Sequence, residues 1–359
     1  MINSVDEKYT RDKKQFFRAA TASGLLMLLF YVIPFIVQLL IRFADKLFSI
    51  NLADIYYNTN SSFEVSLFIG GIYQIIYLLL AIFIVTRFYK FKPFSVFKKY
   101  GFADEKVIIG DEYGLSYSQL DEIEHEKAKK PSSLTWDKIL LIGIPVMYAI
   151  NVVSSWLSFG ITKLVNNAGY TVPDVTLDLS SNNPLNVILL FVRLAVLAPL
   201  IEEFLMRGCM LRILKPYGNW FAIIITSVMF GLLHNNIGQG IGAVAIGILF
   251  GIIAIKSESI YPTIVLHGVN NFIVSMMTVL GGQFGNKAAY EAVGSVLRVI
   301  AFGGIIMLGL FFRKINLKND NTSALKTGQC VRRYIFNPAV LCYIAANLFI
   351  FVLLFFVEN

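Results

Sequence analysis

The chain contains 359 residues, of which 56% are hydrophobic and only 15% are charged, and its formal net charge is +8. So large an apolar excess excludes an ordinary soluble globular protein and indicates a polytopic membrane protein. The basic residues flank apolar stretches, which is a pattern typical of membrane topology. We therefore expect the lipid bilayer as a partner and no nucleic acid.

Nine apolar stretches approach the ~20 residues that an α-helix needs to cross a bilayer. The sequence therefore predicts an all-α fold, a polytopic transmembrane helical bundle of about 8–9 spans. The first stretch is too long for a signal-peptide core and lacks a small-residue cleavage site, so we expect a retained anchor. The spans lie near residues 17–41, 65–87, 138–160, 187–211, 219–237, 240–255, 259–280, 293–312 and 337–357.

The distribution of Lys and Arg predicts how the bundle is oriented. With a cytoplasmic N-terminus, 24 of the 31 basic residues lie in inner segments and 4 lie in outer segments. This bias follows the positive-inside rule, places the C-terminus outside and fits a bacterial plasma membrane. Cys209, Cys330 and Cys342 lie in or near segments on the reducing side, so disulfides are not expected.

Composition divides the chain into five regions. The polar insertion after the second span suggests a cytoplasmic loop with a short amphipathic helix, and His125 within it is interpreted as a solvated histidine. The regions are an N-terminal two-span region (1–88), the cytoplasmic loop (89–135), the third span with an outer loop (136–185), a core with ionisable residues (186–285) and a C-terminal two-span region (286–359).

Three apolar segments of the core hold acidic, imidazole and amide groups. Ionisable side chains at membrane depth are costly and mark a functional site by default. Each histidine alone is more often a hydrogen-bonded packing residue, but together the groups favour a site. They are Glu202, Glu203 and Arg207 in "PLIEEFLMRG", His234 in "VMFGLLHNN", and His267 and Asn271 in "IVLHGVNNF".

The two adjacent glutamates are predicted to have different roles. Neighbouring helical residues point about 100° apart, so the two carboxylates cannot serve the same point. Glu203 and Arg207 are four residues apart in the favourable order, which predicts a mutually neutralising support pair. Glu202 has no partner in its own helix and is the candidate general base for activating water, unless both glutamates lie in water at the cytoplasmic end.

The histidines leave two chemical alternatives open. His234 follows Phe230 by one helical turn, and His267 precedes Asn271 by one turn. The second pair can donate two hydrogen bonds to a developing oxyanion, a role that needs no cofactor. Alternatively, Glu202, His234 and His267 form a catalytic set of ligands for a divalent metal such as zinc.

These three motifs, in this order, resemble those of the CAAX prenyl protease and bacteriocin-processing (CPBP, or Abi) family of intramembrane proteases. The resemblance covers about residues 190–280, and Met206 departs from it where an aromatic residue often precedes the arginine. No His-Glu-x-x-His, Gly-x-Ser-x-Gly or Gly-x-Gly-Asp pattern is present, which argues against other intramembrane protease classes.

The resemblance implies a helical bundle with a cavity open to the cytoplasm and cleavage of a peptide bond in a peptide or lipidated protein substrate. It implies that Glu202 activates water with help from His234, and that His267 and Asn271 form the oxyanion hole. It assigns Glu203, Arg207 and Phe230 to supporting positions. The competing interpretations are a non-catalytic peptide-binding or immunity protein and a proton-coupled transporter.

Overall fold

The computed structural model describes residues 2–48, 62–89, 135–170, 172, 184–283, 285–311, 317 and 321–358. Within these ranges the chain is helical and contains no β-strand, as the composition predicts. The predicted cytoplasmic loop, with its amphipathic helix and His125, lies outside the described residues, as do residues 171 and 173–183 of the predicted outer loop.

Twelve α-helices and four tighter or wider helical turns make up the described chain. Three of those turns are π-helical, at Val192–Leu197, Phe204–Leu211 and Val279–Gln283, and one is a 3-10 turn at Lys215–Tyr217. The helices are α1 (Ile2–Phe48), α2 (Ser62–Tyr89), α3 (Trp136–Asn167), α4 (Pro184–Phe191), α5 (Ala198–Glu203), α6 (Arg212–Leu214), α7 (Asn219–Leu232), α8 (Ile237–Ser257), α9 (Tyr261–Thr278), α10 (Lys287–Phe311), α11 (Thr327–Ile335) and α12 (Pro338–Glu358).

Six of the described helices are long and apolar enough to cross a membrane, namely α1, α2, α3, α8, α9 and α10. A seventh span forms if α11 and α12, which meet at a 61° bend, are counted together. The protein is therefore an integral membrane protein built as an all-α polytopic bundle. The predicted span 187–211 is divided by π-helical turns, and α7 has only 14 residues, because the chain turns before the predicted end at 237.

The helices bury two apolar cores that position the ionisable residues. One core joins α1, α2, α12 and the segment from α5 to α7, with α1 packed on α2 and α12. The other joins α3, α8, α9 and α10. The segment that carries Glu202 and Glu203 therefore lies within the bundle, with α2 and α9 packed against it.

The contact between α3 and α10 depends on a glycine. A Cβ at Gly304 would overlap the Pro145 carbonyl, whereas a Cβ at the neighbouring Gly303 would meet nothing within 4 Å. Small residues allow such close helix contacts in membranes, where van der Waals packing is a main source of helix association.

We expect Gly304→Val to lower stability by about 1–3 kcal/mol or more, because the added carbons force α10 away from α3. Thermal unfolding of the detergent-purified protein measures the change, and Gly303→Val is the matched control one residue away. Equal melting temperatures for the two variants would show that this helix contact does not limit stability.

Candidate active site

A proline produces the local backbone geometry next to the two glutamates. In the π-helical turn before α5, the N–H of Ala198 donates to the carbonyl of Arg193, five residues back. In the same register the carbonyl of Leu194 requires an N–H from Pro199, which has none. Asn271 of α9 supplies it, because its Nδ2 lies 3.0 Å from the Leu194 oxygen. The side-chain amide thus replaces a backbone donor that the sequence removes.

A glycine lets α9 come close enough to make that contact. A Cβ at Gly268 would lie 2.7 Å from the carbonyl oxygen of Ala195, so only glycine fits at this distance. The close approach positions the preceding residue, His267, over the end of α5. The π-helical turn, Gly268 and Asn271 together fix the register between α9 and the glutamates.

Glu203 and Arg207 form the buried ion pair that their spacing predicts. Nη1 of Arg207 lies 2.8 Å from Oε1 of Glu203, and Nη2 donates to the carbonyl of Gly247 at 3.1 Å. The guanidinium carbon is 5.4 Å from the ring centroids of both Phe230 and Phe250. Both charged side chains are at most 1% exposed, so each depends on the other for compensation.

His267 joins the two glutamates, which sequence reasoning did not foresee. Its Nδ1 lies 3.0 Å from Oε1 of Glu203, and its Nε2 lies 3.7 Å from Oε2 of Glu202. A carboxylate only accepts hydrogen bonds, so Nδ1 carries a proton and donates to Glu203. The carboxylates of Glu203 and Glu202 are thus directed at the two different nitrogens of a single imidazole.

The carboxylates of Glu202 and Glu203 differ in how far they are exposed to solvent. The side chain of Glu202 is 23% exposed, whereas Glu203 is 0% exposed and that of His267 is 9% exposed. The Glu202 carboxylate makes no hydrogen bond to the described residues, and its 3.7 Å contact with His267 is too long to be one. It is therefore the member of this group that a water molecule or a substrate can reach.

His234 lies just beyond α7, in the turn that leads to α8, and not within a long span as predicted. Its Nδ1 lies 3.0 Å from the Phe230 carbonyl and donates a hydrogen bond to it. In the neutral imidazole, Nε2 is then the acceptor. The imidazole meets the Phe230 ring edge-on at 5.0 Å, and the same ring lies 5.9 Å from that of His267. Phe230 thus links the two imidazoles.

The next residue of this turn, Asn235, has a left-handed backbone with φ of 53°. Its Oδ1 lies 3.0 Å from the hydroxyl of Tyr31 on α1, and the same hydroxyl lies 2.7 Å from Oδ1 of Asn347 on α12. The hydroxyl of Tyr343 on α12 also donates to the carbonyl of Met229 at 2.8 Å. The first and last helices of the described chain therefore hold the His234 turn in place.

Sequence reasoning also missed two asparagines that extend the site. Nδ2 of Asn151 on α3 donates to Asn270 at 2.8 Å, and Nδ2 of Asn270 donates to Oδ1 of Asn271 at 3.3 Å. The sequence does contain two signals of this extension. They are an amide in the middle of the apolar third span and the Asn-Asn pair on α9. The chain of amides orients Asn271, whose Nδ2 has a second N–H besides the one donated to Leu194.

The alternative set of metal ligands is not assembled. Nowhere in the part of the chain that the structure describes do three or more His, Cys, Asp or Glu side chains form a group suited to hold a metal ion. Glu202 and His267 are close together, but the described contacts of His234 run through Phe230. The residues present do not fit a three-ligand metal centre.

Residues 184–273 match the family model described as Rce1-like, type II CAAX prenyl endopeptidase. The match confirms the resemblance to the CAAX protease family. It covers about a quarter of the chain and includes every predicted site residue from Glu202 to Asn271. Neither the curated proteins nor the solved structures yield a match. Helices α1, α2 and α12 contact residues 184–273 but lie outside them. Because residues 184–273 match the CAAX protease model, they are called the CAAX protease segment below.

We expect Arg207→Met to destabilise the protein by about 3–5 kcal/mol, because it leaves the buried Glu203 carboxylate uncompensated. Unfolding in detergent, followed by thermal melting or denaturant titration, measures the loss. Arg298→Met is the matched control, since the Arg298–Glu291 pair is 3.5 Å apart and both side chains are more than 60% exposed. A loss no larger than that of the control would mean that Glu203 does not need the guanidinium.

Proposed function

We propose that this protein is an intramembrane endopeptidase of the CAAX protease and bacteriocin-processing type, which hydrolyses a peptide bond near the cytoplasmic face. The observation that carries the proposal is the arrangement of two adjacent carboxylates on one imidazole, with only one carboxylate accessible. The family match over residues 184–273 supports the reaction class. The substrate is a peptide or a lipidated protein in the bilayer, and the proposed membrane is the bacterial plasma membrane, with the N-terminus cytoplasmic.

Glu202 is the proposed general base. Glu203 is committed to Arg207 and His267, so it holds the imidazole in place and is not free to accept another proton. Glu202 accepts a proton from water, and the resulting hydroxide attacks the scissile carbonyl carbon. The C–N bond then breaks as Glu202 returns the proton to the departing amine, which leaves a carboxylic acid and an amine as products.

His267 and Asn271 are the proposed donors to the oxyanion of the tetrahedral intermediate. Nδ1 of His267 donates to Glu203, and Nε2 donates on the side of Glu202, where the carbonyl is attacked, when it carries a second proton taken up from solvent. The second N–H of Asn271 is the other donor. Because Glu203 and the amide chain fix both side chains before substrate arrives, little reorganisation is needed during the reaction.

His234 is the proposed positioner of the attacking water. Because the Nδ1–H group of His234 donates a hydrogen bond to the Phe230 carbonyl, Nε2 presents a lone pair that accepts a hydrogen bond from water. The water would then be held between this nitrogen and the Glu202 carboxylate. No step in this mechanism passes through a metal ion.

Glu202→Gln tests the base directly, because the amide keeps the size of the side chain but cannot take up the proton. We expect cleavage to fall by about 10²–10⁴-fold in this variant and in His234→Ala, with an unchanged elution profile and melting temperature. The measurement is cleavage of a fluorogenic peptide library, with prenylated members included, by detergent-purified protein with and without a strong chelator. Glu291→Gln, an exposed glutamate on α10, is the control and should keep full activity.

Full activity of Glu202→Gln would refute its role as the base. Loss of wild-type activity with chelator would instead point to a required metal. Folded wild-type protein that cleaves none of these peptides would contradict the proposal for this substrate class. In that case, growth protection that survives Glu202→Gln would identify an immunity protein, and proton-coupled uptake into proteoliposomes would identify a transporter.

A further inference from the structure

A cavity opens beside Glu202, between the CAAX protease segment and the two N-terminal helices. It offers about 80 Å³ of space that a guest group can occupy. Helix α1 contributes Phe30 and Ile33, α2 contributes Tyr73, Gln74 and Tyr77, and α5 contributes Glu202. Most of the wall therefore comes from residues outside the segment that matches the family model.

The wall is mostly apolar. The rings of Phe30 and Tyr77 are in contact, with centroids 3.9 Å apart, and the Tyr77 hydroxyl is already committed to the carbonyl of Leu26 at 3.0 Å. Tyr77 thus presents its ring and not its hydroxyl to a ligand. The other polar side chains of the wall belong to Glu202, Gln74 and Tyr73.

Gln74 points to a ligand that donates a hydrogen bond. Its Oε1 is buried and has no hydrogen-bond partner among the described residues. Buried polar atoms without partners are uncommon, and each one requires an explanation. A buried acceptor without a donor, in a mostly apolar cavity, suits a backbone N–H group of an extended peptide.

The volume limits what the cavity holds. Ligand pockets span roughly 300–1,000 Å³, so this cavity lies well below that range and is too small for a whole ligand. It accommodates one large apolar side chain, and not several residues or a long lipid chain. Because Glu202 forms one end, that side chain belongs to a residue next to the bond that is hydrolysed.

We propose that this cavity is the subsite that receives one large apolar side chain of the substrate beside the scissile bond, with Gln74 accepting a hydrogen bond from the substrate backbone. Ile33 and Phe30 set the size of that side chain. The inference rests on the proposed function, because a scissile bond exists only if the protein hydrolyses peptides. The specificity of this protein then resides in α1 and α2, and the chemistry resides in the CAAX protease segment.

Binding, measured apart from cleavage, tests the subsite. The probes are fluorescent peptides taken from the library, identical except for Ala, Leu, Phe or Asp at one position, titrated by anisotropy into the full chain carrying Glu202→Gln and into the wild type. We expect Phe and Leu peptides to bind at least roughly tenfold more tightly than Ala or Asp peptides at one position. No preference for an apolar residue at any position overturns the proposal.

Ile33→Trp fills the cavity and should reduce the preference for Phe over Ala to within a factor of about three. Ile36→Trp is the matched control, because Ile33 is 4% exposed and Ile36, one turn away on α1, is 47% exposed. If Ile33→Trp fails to fold, Phe30→Ala should enlarge the cavity and shift the preference toward a naphthyl side chain. Variants that leave the preference unchanged overturn the proposal.

Gln74→Leu should weaken the binding of every unmodified peptide by a similar factor. It should not weaken the binding of a peptide whose donating backbone nitrogen is methylated, because that peptide has no N–H to give to Gln74. An equal loss for the N-methylated peptide would show that Gln74 does not bind the backbone. Cleavage is recorded separately with the same peptides. Selective binding without any cleavage would contradict the proposed function but support the subsite. Cleavage without a preference for apolar side chains would contradict the subsite but support the proposed function.

Discussion

One missing backbone hydrogen bond determines how the site is built. Pro199 cannot donate to the carbonyl of Leu194, and a carbonyl left without a donor inside a membrane protein is costly. The cost is offset by Asn271, whose amide reaches across from α9. That contact, with the close approach at Gly268, determines which residue of α9 stands over the glutamates. His267 meets Glu203 because the amide one helical turn later has a carbonyl to satisfy.

The buried ion pair then gives two neighbouring carboxylates different chemistry. Arg207 neutralises Glu203 and is itself enclosed by two aromatic rings, so this half of the site is rigid and closed to water. Glu202 has the same side chain one residue earlier, yet it lies at the edge of a cavity and forms no salt bridge to an Arg or Lys of the described residues. In the proposed mechanism, a single dipeptide thus supplies an orienting carboxylate and a reactive one through environment alone.

The parts of this arrangement that depend on local spacing were predictable from the sequence. The all-α membrane bundle follows from composition, and the pairing of Glu203 with Arg207 follows from their separation by one helical turn. The contact of both glutamates with His267 was not predictable, because it joins residues 64 positions apart through the packing of α9. The position of His234 in a turn also escaped prediction, since the apolar run continues past the point where α7 ends. The cavity wall depends on α1 and α2, which carry no recognisable motif.

The turn that carries His234 is braced by Tyr31 from α1 and by Tyr343 and Asn347 from α12. The ribosome makes α1 long before the turn and α12 long after it. The turn therefore reaches its final packing only when α12 has entered the bilayer and closed against α1. A nascent chain that already contains every residue of the proposed hydrolytic centre would still lack this brace, so under the proposed function newly made protein would become active only after insertion is complete.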